Sequence, residues 1–96
     1  MPKPYRSRAR LAMDVLRAIR GESDGGRRAQ VTRLLLLANL THPRLLEHLK
    51  ALVAKGWVEE SERDGHRGWR LTPLGEQGLA QLERIEEAMH DFGFPL

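Results

Sequence analysis

The pair Asp64-Gly65 constrains the fold of this chain most, because it lies between two short runs with strand-like alternation, residues 57–62 and 67–71. Asp-Gly in that setting is the strongest short-range signal for a β-hairpin, since a two-residue turn needs positive φ at its central positions. The other apolar residues recur mostly at helical spacing. The sequence therefore predicts a single hairpin in an otherwise helical chain.

Four segments with helical spacing of apolar residues surround the hairpin, and their ends carry helix boundary signals. Ser7 is a candidate N-cap of the first helix. Thr41 with Pro43, and Thr72 with Pro73, each combine an N-cap with a proline in the first turn, where the missing N–H costs nothing. The predicted helices span about residues 7–21, 28–38, 41–55 and 73–91.

The order helix, helix, helix, hairpin, helix describes a mainly α protein with a small β-hairpin. Two helices joined across the short break at Asn39-Leu40 and followed by a hairpin make a winged helix-turn-helix, with the hairpin as the wing. A chain of 96 residues fits one such domain. We expect a flexible basic arm at 1–6, the winged helix-turn-helix domain at 7–72, a C-terminal dimerisation helix at 73–91 and a tail at 92–96.

Charge is distributed unevenly along the chain. Residues 1–55 contain twelve Lys and Arg and four acids, a net charge of +8, whereas residues 56–96 contain four Arg and nine acids, a net charge of −5. A basic half is expected of a polyanion binder, and an acidic C-terminal half suits an exposed or self-pairing helix. Most of the cations are Arg, which favours bidentate contacts to phosphate or guanine, although an Arg-rich composition is also typical of a GC-rich genome.

The composition argues against several kinds of site. With no cysteine, disulfides, thiolate catalysis and cysteine-ligated metals are excluded. The four histidines, at 42, 48, 66 and 90, are not spaced as metal ligands, and no nucleophile, base or carboxylate pair can be assigned a role. No apolar run approaches the ~18 residues that span a bilayer. We therefore predict no enzyme, no metal, no cofactor and no membrane contact, and we expect a cytoplasmic, nucleoid-associated protein with no obvious ligand cavity.

The third predicted helix is the candidate for reading DNA. Its inward stripe contains Leu45, Leu49, Leu52 and Val53, and the helical repeat places a polar face on the opposite side. Such a face can enter a major groove about 12 Å wide, and Arg44 near the helix N-terminus can pair with guanine O6 and N7. The alternative is an ordinary solvated helix face. The candidate DNA-binding residues at this helix are Thr41, His42, Arg44, His48, Ala51 and Lys55.

Two further pairs of arginines are candidate contacts to the DNA backbone. Arg27 and Arg28 follow a glycine pair before the second helix, in what we interpret as a flexible turn. Arg63 and Arg67 flank the hairpin turn, from which they can reach the minor groove or its phosphates. Three glutamates on the first strand would repel phosphates and weaken this second assignment. Trp69 is predicted to be core beneath the wing rather than a platform for stacking bases.

The last predicted helix carries an apolar seam, formed by Leu79, Leu82, Ile85, Met89 and Phe92. The seam is only as wide as that of a coiled coil, which predicts a homodimer through this helix; packing within the same subunit is the alternative. Glu83, Glu86 and Glu87 are expected to keep the other side in water and to favour antiparallel pairing. The run Leu34–Leu37 is wider than one core stripe, so some of its side chains are expected to meet a second surface.

Three short motifs resemble those of the small winged helix-turn-helix proteins common in archaea. The turn reads Ala38-Asn39-Leu40-Thr41, the third helix ends in Lys55-Gly56, and the hairpin closes with Leu71-Thr72-Pro73-Leu74-Gly75. The resemblance covers about residues 8–92. It implies homodimeric DNA binders paired through the C-terminal helix as an antiparallel coiled coil, which serve as transcription regulators or chromosomal proteins. The last helix here is shorter than the long coiled coils of the chromosomal members.

The sequence thus favours a homodimeric winged-helix protein whose partner is double-stranded DNA and whose function is transcription regulation. It would read the major groove with its third helix. The alternatives are a winged-helix module that binds another protein, because a fold does not imply a function, and a chromosomal protein without sequence preference. Whether a small-molecule effector exists is left open by the sequence.

Overall fold

The computed structural model describes residues 6–23, 28–63 and 65–94. Its elements are α1 (Arg8–Glu22), α2 (Val31–Ala38), α3 (His42–Ala54), β1 (Val58–Arg63), β2 (His66–Leu71) and α4 (Pro73–Asp91). The predicted order is confirmed: α2 and α3 form a helix-turn-helix, and the antiparallel pair β1–β2 is its wing. Among the helices of the described residues, none is long and apolar enough to cross a membrane.

The hairpin has the predicted two-residue turn. Val58 lies opposite Leu71 and Arg63 opposite His66, so that positions 64 and 65 connect the strands. Gly65 has a φ of +78°, a left-handed conformation that costs glycine nothing because it has no Cβ. Asp64 lies outside the described residues.

The helix starts follow the capping residues that the sequence predicted. The Ser7 hydroxyl accepts a hydrogen bond from the Arg10 N–H at 3.0 Å, and the Thr72 hydroxyl accepts one from the Gly75 N–H at 3.0 Å. Thr41 is the N-cap of α3 through its extended backbone and the proline that follows, without a side-chain cap bond. Each of these signals acts within four residues, which is why the sequence alone reveals it.

The turn between α2 and α3 depends on Asn39, which has a left-handed φ of 53°. Asparagine adopts this conformation more readily than most residues. The N–H groups of Asn39 and Leu40 both donate to one carbonyl in the last turn of α2. α3 ends in a similar way, with Gly56 at a φ of +77° and the Trp57 N–H donating to the Leu52 carbonyl at 3.0 Å.

α2 begins at Val31, so the prediction of a helix from residue 28 is wrong. Ala29 instead forms an antiparallel bridge with Trp69 of β2, through two N–H to carbonyl hydrogen bonds of 2.8 and 2.9 Å. Ala29 is completely buried in this bridge. The extended backbone that the bridge requires is incompatible with an earlier helix start, and β2 consequently has paired residues on both sides.

The core lies around α1, which packs against α2, α3, α4 and β2. The largest fully buried side chains are Met13, Val15, Leu16, Ile19, Leu34, Leu45, Leu49, Val58 and Leu79. Trp69 is 3% exposed and belongs to this core, as predicted. Removal of aliphatic surface from water is the main stabilising contribution here, since aromatic residues are few.

The first turns of α4 are fixed against the start of β1 by a close approach of Trp57. A Cβ on Gly75 would overlap the carbonyl oxygen of Trp57, and a Cβ on Gly78 would lie 2.6 Å from its indole ring. Thr72 donates its N–H to the Trp57 carbonyl at 3.0 Å and its hydroxyl to the Gly56 carbonyl. These contacts set the direction in which α4 leaves the wing.

The middle of α4 is joined to α1 by ion pairs. Arg17 donates to Glu83 at 3.0 Å and to Glu86 at 2.8 Å, Arg20 donates to Glu83 at 3.1 Å, and Arg10 pairs with Glu86. The prediction that Glu83 and Glu86 face water is therefore wrong, because α4 folds back along α1. Part of the charge difference between the two halves of the chain is neutralised within the molecule.

The packing of α4 along α1 buries one part of the apolar seam predicted on α4 and leaves the other part exposed. Leu79 is 1% exposed in the core of its own chain, and Leu82 packs half-buried against that core. These two residues follow the alternative of packing within the subunit. Ile85, Met89 and Phe92 lie beyond the contact, and Ile85 and Phe92 are 49% and 79% exposed.

Candidate nucleic-acid interface

The residues predicted on α3 all reach the surface. Thr41, His42, Arg44, Ala51 and Lys55 are exposed, and His48 is half-buried. Leu45, Leu49 and Leu52 point into the core and fix the rotation of the helix about its axis, whereas Val53, expected to be inward, is 36% exposed.

Lys50 is exposed on the same face, and the sequence reasoning missed it. The helical repeat places Lys50 closer to the outward direction than His48 or Lys55, so that a full count of the polar positions would have found it. Within the part of the chain that the structure describes, no carboxylate oxygen lies within 4.0 Å of a nitrogen of Arg44, Lys50 or Lys55. These three cations thus make no ion pair among the described residues, although Glu47 is also exposed on α3.

His48 occupies the side of α3 that faces the N-terminal segment. Burial lowers its pKa, and Arg44 lowers it further, while Glu47 acts in the opposite direction. Arg6 and Arg8 also lower the pKa, which shows that their charges lie close to this flank of α3. Positive charge from the beginning of α1 therefore adds to that of α3 at this flank.

Arg6, assigned to the flexible arm, is attached to the helix-turn-helix. Its guanidinium donates to the carbonyls of Ala38 and Asn39 at 2.7 and 2.8 Å, and to the carboxylate of Asp14 at 3.1 Å. A cation at these carbonyls stabilises the C-terminus of α2, where the helix dipole is negative. The remainder of the predicted arm, residues 1–5, lies outside the described residues.

Arg28 lies at the side of the wing rather than on a free turn. A Cβ on Gly68 would lie 2.6 Å from the Arg28 Cβ, so the arginine stem packs over the glycine in β2. Arg27 lies outside the described residues. Gln30, the N-cap of α2, makes no side-chain cap bond.

The arginines of the wing are paired with the wing's own glutamates. Arg67 donates to Glu60 at 2.6 Å, and its guanidinium lies 5.6 Å from the centre of the Trp69 ring. Arg70 pairs with Glu59, which lies opposite it in the ladder. Two of the three glutamates that were expected to repel phosphates, Glu59 and Glu60, thus hold arginines in place. The predicted wing residue Arg63 ends β1, and the structure does not describe its side chain.

Several cations outside α3 are compensated by carboxylates of the chain. In α1, Arg10, Arg17 and Arg20 pair with the two α4 glutamates, and in α2 Arg33 pairs with Glu22 at 3.1 Å. Ion pairs with residues distant in sequence thus determine which of the twelve cations before residue 56 are free to bind an anionic ligand. The described residues hold no group of three His, Asp or Glu side chains suited to a metal ion.

An apolar stripe of exposed side chains runs along one side of α4, interrupted at Gly78, which the Trp57 ring covers. Leu74, Ile85 and Phe92 are 51%, 49% and 79% exposed, and the helical repeat places them, with Ala88, on one side. Leu74 was not among the predicted interface residues. On α2, Leu36 and Leu37 are 74% and 51% exposed, and the prediction that part of this leucine run meets a second surface stays a prediction.

No protein-family model matches this sequence, and no curated protein matches it. Several solved structures match the fold of this chain. Sso10a-2, a DNA-binding protein from Sulfolobus solfataricus, is 16% identical with a TM-score of 0.77 over 91% of this chain and 85% of its own. AF1382 from Archaeoglobus fulgidus is 24% identical with a TM-score of 0.71 over 82% and 87%.

A third structure is that of a candidate DNA-binding protein from Ralstonia eutropha JMP134. It is 28% identical, with a TM-score of 0.64 over 75% of this chain and 93% of its own. Similarity at these identities establishes the fold. The predicted resemblance to small archaeal winged helix-turn-helix proteins is confirmed at that level.

Proposed function

We propose that this chain binds double-stranded DNA, with α3 as the element that enters the major groove. The observation that carries the proposal is the distribution of uncompensated positive charge. Most arginines of α1, α2 and the wing are paired with carboxylates of the chain, whereas Arg44, Lys50 and Lys55 have no such partner among the described residues. Arg8, Arg28 and Arg84 also have none there, but they lie on three different parts of the chain, whereas α3 and its C-cap hold three cations together. A polyanion would therefore be attracted to the α3 face in preference to the others.

The shape of the α3 face supports the same proposal. Ala51 is small and exposed between longer cationic side chains, which lets the helix approach the base edges closely. Arg44 in the first turns is suited to a bidentate contact with guanine, and Lys50 and Lys55 are suited to phosphates. Sso10a-2, which has this fold, is described as a DNA-binding protein, and the Ralstonia protein as a candidate DNA-binding protein.

The test of DNA binding is the salt dependence of affinity for a random duplex, followed by fluorescence anisotropy. Affinity should fall steeply between low and moderate salt, and Lys50→Ala should reduce the slope of log K against log salt by about 0.9 if it removes one phosphate contact. Arg84→Ala is the matched control, since Arg84 is exposed on α4, outside the α3 face. Absence of binding at low salt would contradict the proposal and favour a protein-interaction module.

We further propose that binding is sequence-selective and serves transcription regulation, on the nucleoid in the cytoplasm. Arg44→Ala should cost about 1–3 kcal/mol at the preferred site and less on random DNA. Footprinting on genomic fragments that include the protein's own upstream region tests the regulatory role. Uniform protection of all fragments would instead indicate a chromosomal protein without sequence preference.

The active unit in this proposal is a homodimer formed through the exposed stripe on α4. Ile85, Met89 and Phe92 remain from the predicted seam, and Leu74 is exposed on the same side beyond Gly78, which the Trp57 ring covers. A narrow apolar stripe that is exposed along one side of a helix is typical of a surface that pairs in a coiled coil. Antiparallel pairing would hold two α3 helices apart for half-sites about one helical turn, or roughly 34 Å, from each other.

A further inference from the structure

Arg6 joins the beginning of α1 to the turn of the helix-turn-helix. Its Nη1 donates both to the carboxylate of Asp14 at 3.1 Å and to the carbonyl of Ala38 at 2.7 Å. Its Nη2 donates to the carbonyl of Asn39 at 2.8 Å. We refer to these three hydrogen bonds as the Arg6 bridge. Two of them connect residues 32 and 33 positions apart, so the bridge exists only in the packed chain.

The two carbonyls belong to the end of α2, where the backbone turns. The N–H groups of Asn39 and Leu40 both donate to the carbonyl of Leu35, and the last carbonyls of a helix have no partner within it. Arg6 donates to the last carbonyl of α2, that of Ala38, and to the next one along the chain. It therefore fixes the orientation of two successive peptide planes, on either side of the left-handed Asn39.

Asp14 holds the guanidinium of Arg6 in place from the side of α1. The two side chains form an ion pair at 3.1 Å and are 30% and 21% exposed, and Asp14 also pairs with Arg10 at 3.5 Å. A guanidinium is planar and presents its donors as a fixed fork, so that one orientation serves the carboxylate and both carbonyls. The bridge is thus complete in the free protein, before DNA binds.

The first turn of α3 follows directly after the bridge. Thr41 makes no side-chain cap bond there, so the turn and the buried Leu45 position this end of the helix. The opposite end is held separately, because the Trp57 N–H donates to a carbonyl of α3 and the Thr72 hydroxyl donates to the Gly56 carbonyl. Loss of the bridge would therefore loosen the N-terminal end of α3, which carries Arg44, more than its C-terminal end.

We propose that Arg6 is a positioning residue for DNA binding, which holds the N-terminal end of α3 in the orientation that the major groove requires without contacting DNA itself. This inference rests on the proposed function of α3. Two other roles make different predictions: a contact from Arg6 to a phosphate, and general stabilisation of the fold. The donors of Arg6 are directed at Asp14 and at two carbonyls of its own chain, which favours the positioning role over the phosphate contact.

The substitution Arg6→Lys separates position from charge. Lysine keeps the charge but lacks the fork that serves two carbonyls at once. The affinity for a random DNA duplex should fall about three- to tenfold, as is typical for residues that act on a site without touching the ligand. Arg33→Lys is the matched control, because Arg33 also links α2 to α1, through Glu22, but does not donate to the turn. This control should bind DNA as the wild type does.

The variant Arg6→Ala tests for a contact to phosphate. Its affinity for the random duplex should fall at least as much as that of Arg6→Lys, because the end of α3 must then be ordered when DNA binds. The slope of log K against log salt should stay that of the wild type, since no phosphate contact is lost. A slope reduced by about 0.9 would show that Arg6 contacts a phosphate and would overturn the proposal. Wild-type affinity in Arg6→Lys would overturn it as well.

Amide hydrogen exchange in the free protein tests the bridge without DNA. The amides of Leu40 and Leu45 lie in the turn and at the start of α3, and that of Trp57 follows the end of α3; each donates to a backbone carbonyl. In Arg6→Lys, exchange at Leu40 and Leu45 should become severalfold faster relative to exchange at Trp57. Equal acceleration at all three amides would reduce Arg6 to general stabilisation and overturn the proposal.

The two measurements distinguish failure of this inference from failure of the proposed function. A wild-type protein that binds no duplex at low salt would contradict the proposed function. The exchange measurement contains no DNA, so local acceleration in Arg6→Lys would still establish that Arg6 holds the start of α3. DNA binding by the wild type, with neither the loss of affinity nor the local acceleration in Arg6→Lys, would overturn the positioning role alone.

Discussion

Gly75 has no room for a side chain, because the carbonyl oxygen of Trp57 lies where its Cβ would stand. We expect Gly75→Ala to reduce the free energy of unfolding by about 1–3 kcal/mol or more, since backbone rather than a flexible side chain must move. Thermal or urea unfolding measures this loss.

Gly21→Ala is the matched control for this substitution. Gly21 lies in the last turn of α1 with open space around its Cβ position. The alanine should therefore leave stability unchanged or raise it by up to about 1 kcal/mol, because glycine is the poorer helix former. An equal loss in both variants would show that the contact between Trp57 and α4 is not the cause.

His48 should make stability depend on pH near neutrality. Burial first, and then Arg44, Arg6 and Arg8, lower its pKa below the ordinary 6.5, with Glu47 acting in the opposite direction. The unfolded chain therefore takes up a proton at His48 more readily than the folded one. The free energy of unfolding is consequently unaffected by His48 above about pH 6.5 and decreases as the pH falls below that value.

The variant His48→Gln cannot take up this proton. We expect its melting temperature to fall less than that of the wild type between pH 7.5 and pH 5.5. His90→Gln is the control, because His90 is exposed in the last turn of α4. Parallel melting curves for the wild type and His48→Gln over this range would refute the assignment.

Among the elements, α4 is held by two kinds of contact that respond to different conditions. Its first turns are packed under Trp57, and its middle is paired with α1 through Glu83 and Glu86. Packing is insensitive to pH, whereas ion pairs weaken when a carboxylate is protonated. Acid should therefore loosen the middle of α4 before its start.

Glu83→Gln tests this difference. The hydrogen bond from Arg20 lowers the pKa of Glu83 below its ordinary 4.5, and Arg17 adds to the effect against a smaller opposing effect of burial. The stabilisation is present above about pH 4.5 and is lost as the pH falls through the lowered pKa. At neutral pH the variant should be less stable by roughly 0.2–1 kcal/mol for each ion pair removed, as is usual for partly exposed pairs.

Urea unfolding at pH 7 and pH 3 measures the effect, and the wild type and Glu83→Gln should converge at the lower pH. Glu87→Gln is the control, since Glu87 is exposed on the same helix and the described residues hold no cation within 4.0 Å of it. A constant difference between the wild type and Glu83→Gln at both pH values would argue against the ion pairs.

At the scale of the whole molecule, the α4 stripe makes a prediction about assembly. Ile85 lies in the centre of that stripe and is 49% exposed in the isolated chain. Ile85→Asp should not disturb the core, yet it would bury a charge in the dimer interface. We expect the wild type to sediment at twice the 11.0 kDa mass of the chain, and the variant at that mass.

The same variant should also bind DNA more weakly than the wild type, because two linked α3 helices gain affinity from each other. Ala80→Asp, which adds the same charge at an exposed position on the other side of α4, should remain a dimer. Sedimentation of the wild type as a monomer at micromolar concentration would contradict the dimer before any variant is made.

Short-range signals in the sequence determined most of the fold. The N-caps Ser7 and Thr72, the left-handed Asn39 and the Asp64-Gly65 turn each act over a few residues, so their effect depends little on contacts distant in sequence. The periodicity of leucines likewise fixed the inward side of α3, and with it the exposure of Arg44. The exposure of Lys50 follows from the same periodicity, although the sequence analysis did not include Lys50 among the polar positions of this helix.

The tertiary structure decided which groups meet across the chain. The bridge between Ala29 and Trp69 has no local signature, because an alanine in a turn region does not indicate a strand. The pairing of Arg17 with Glu83 joins residues 66 positions apart. It neutralises positive charge on α1 that DNA could otherwise attract, and it holds part of α4 against its own chain, where that part is not available to a dimer partner. Charge compensation and burial depend on distances in space, and those distances exist only once the helices have packed around α1.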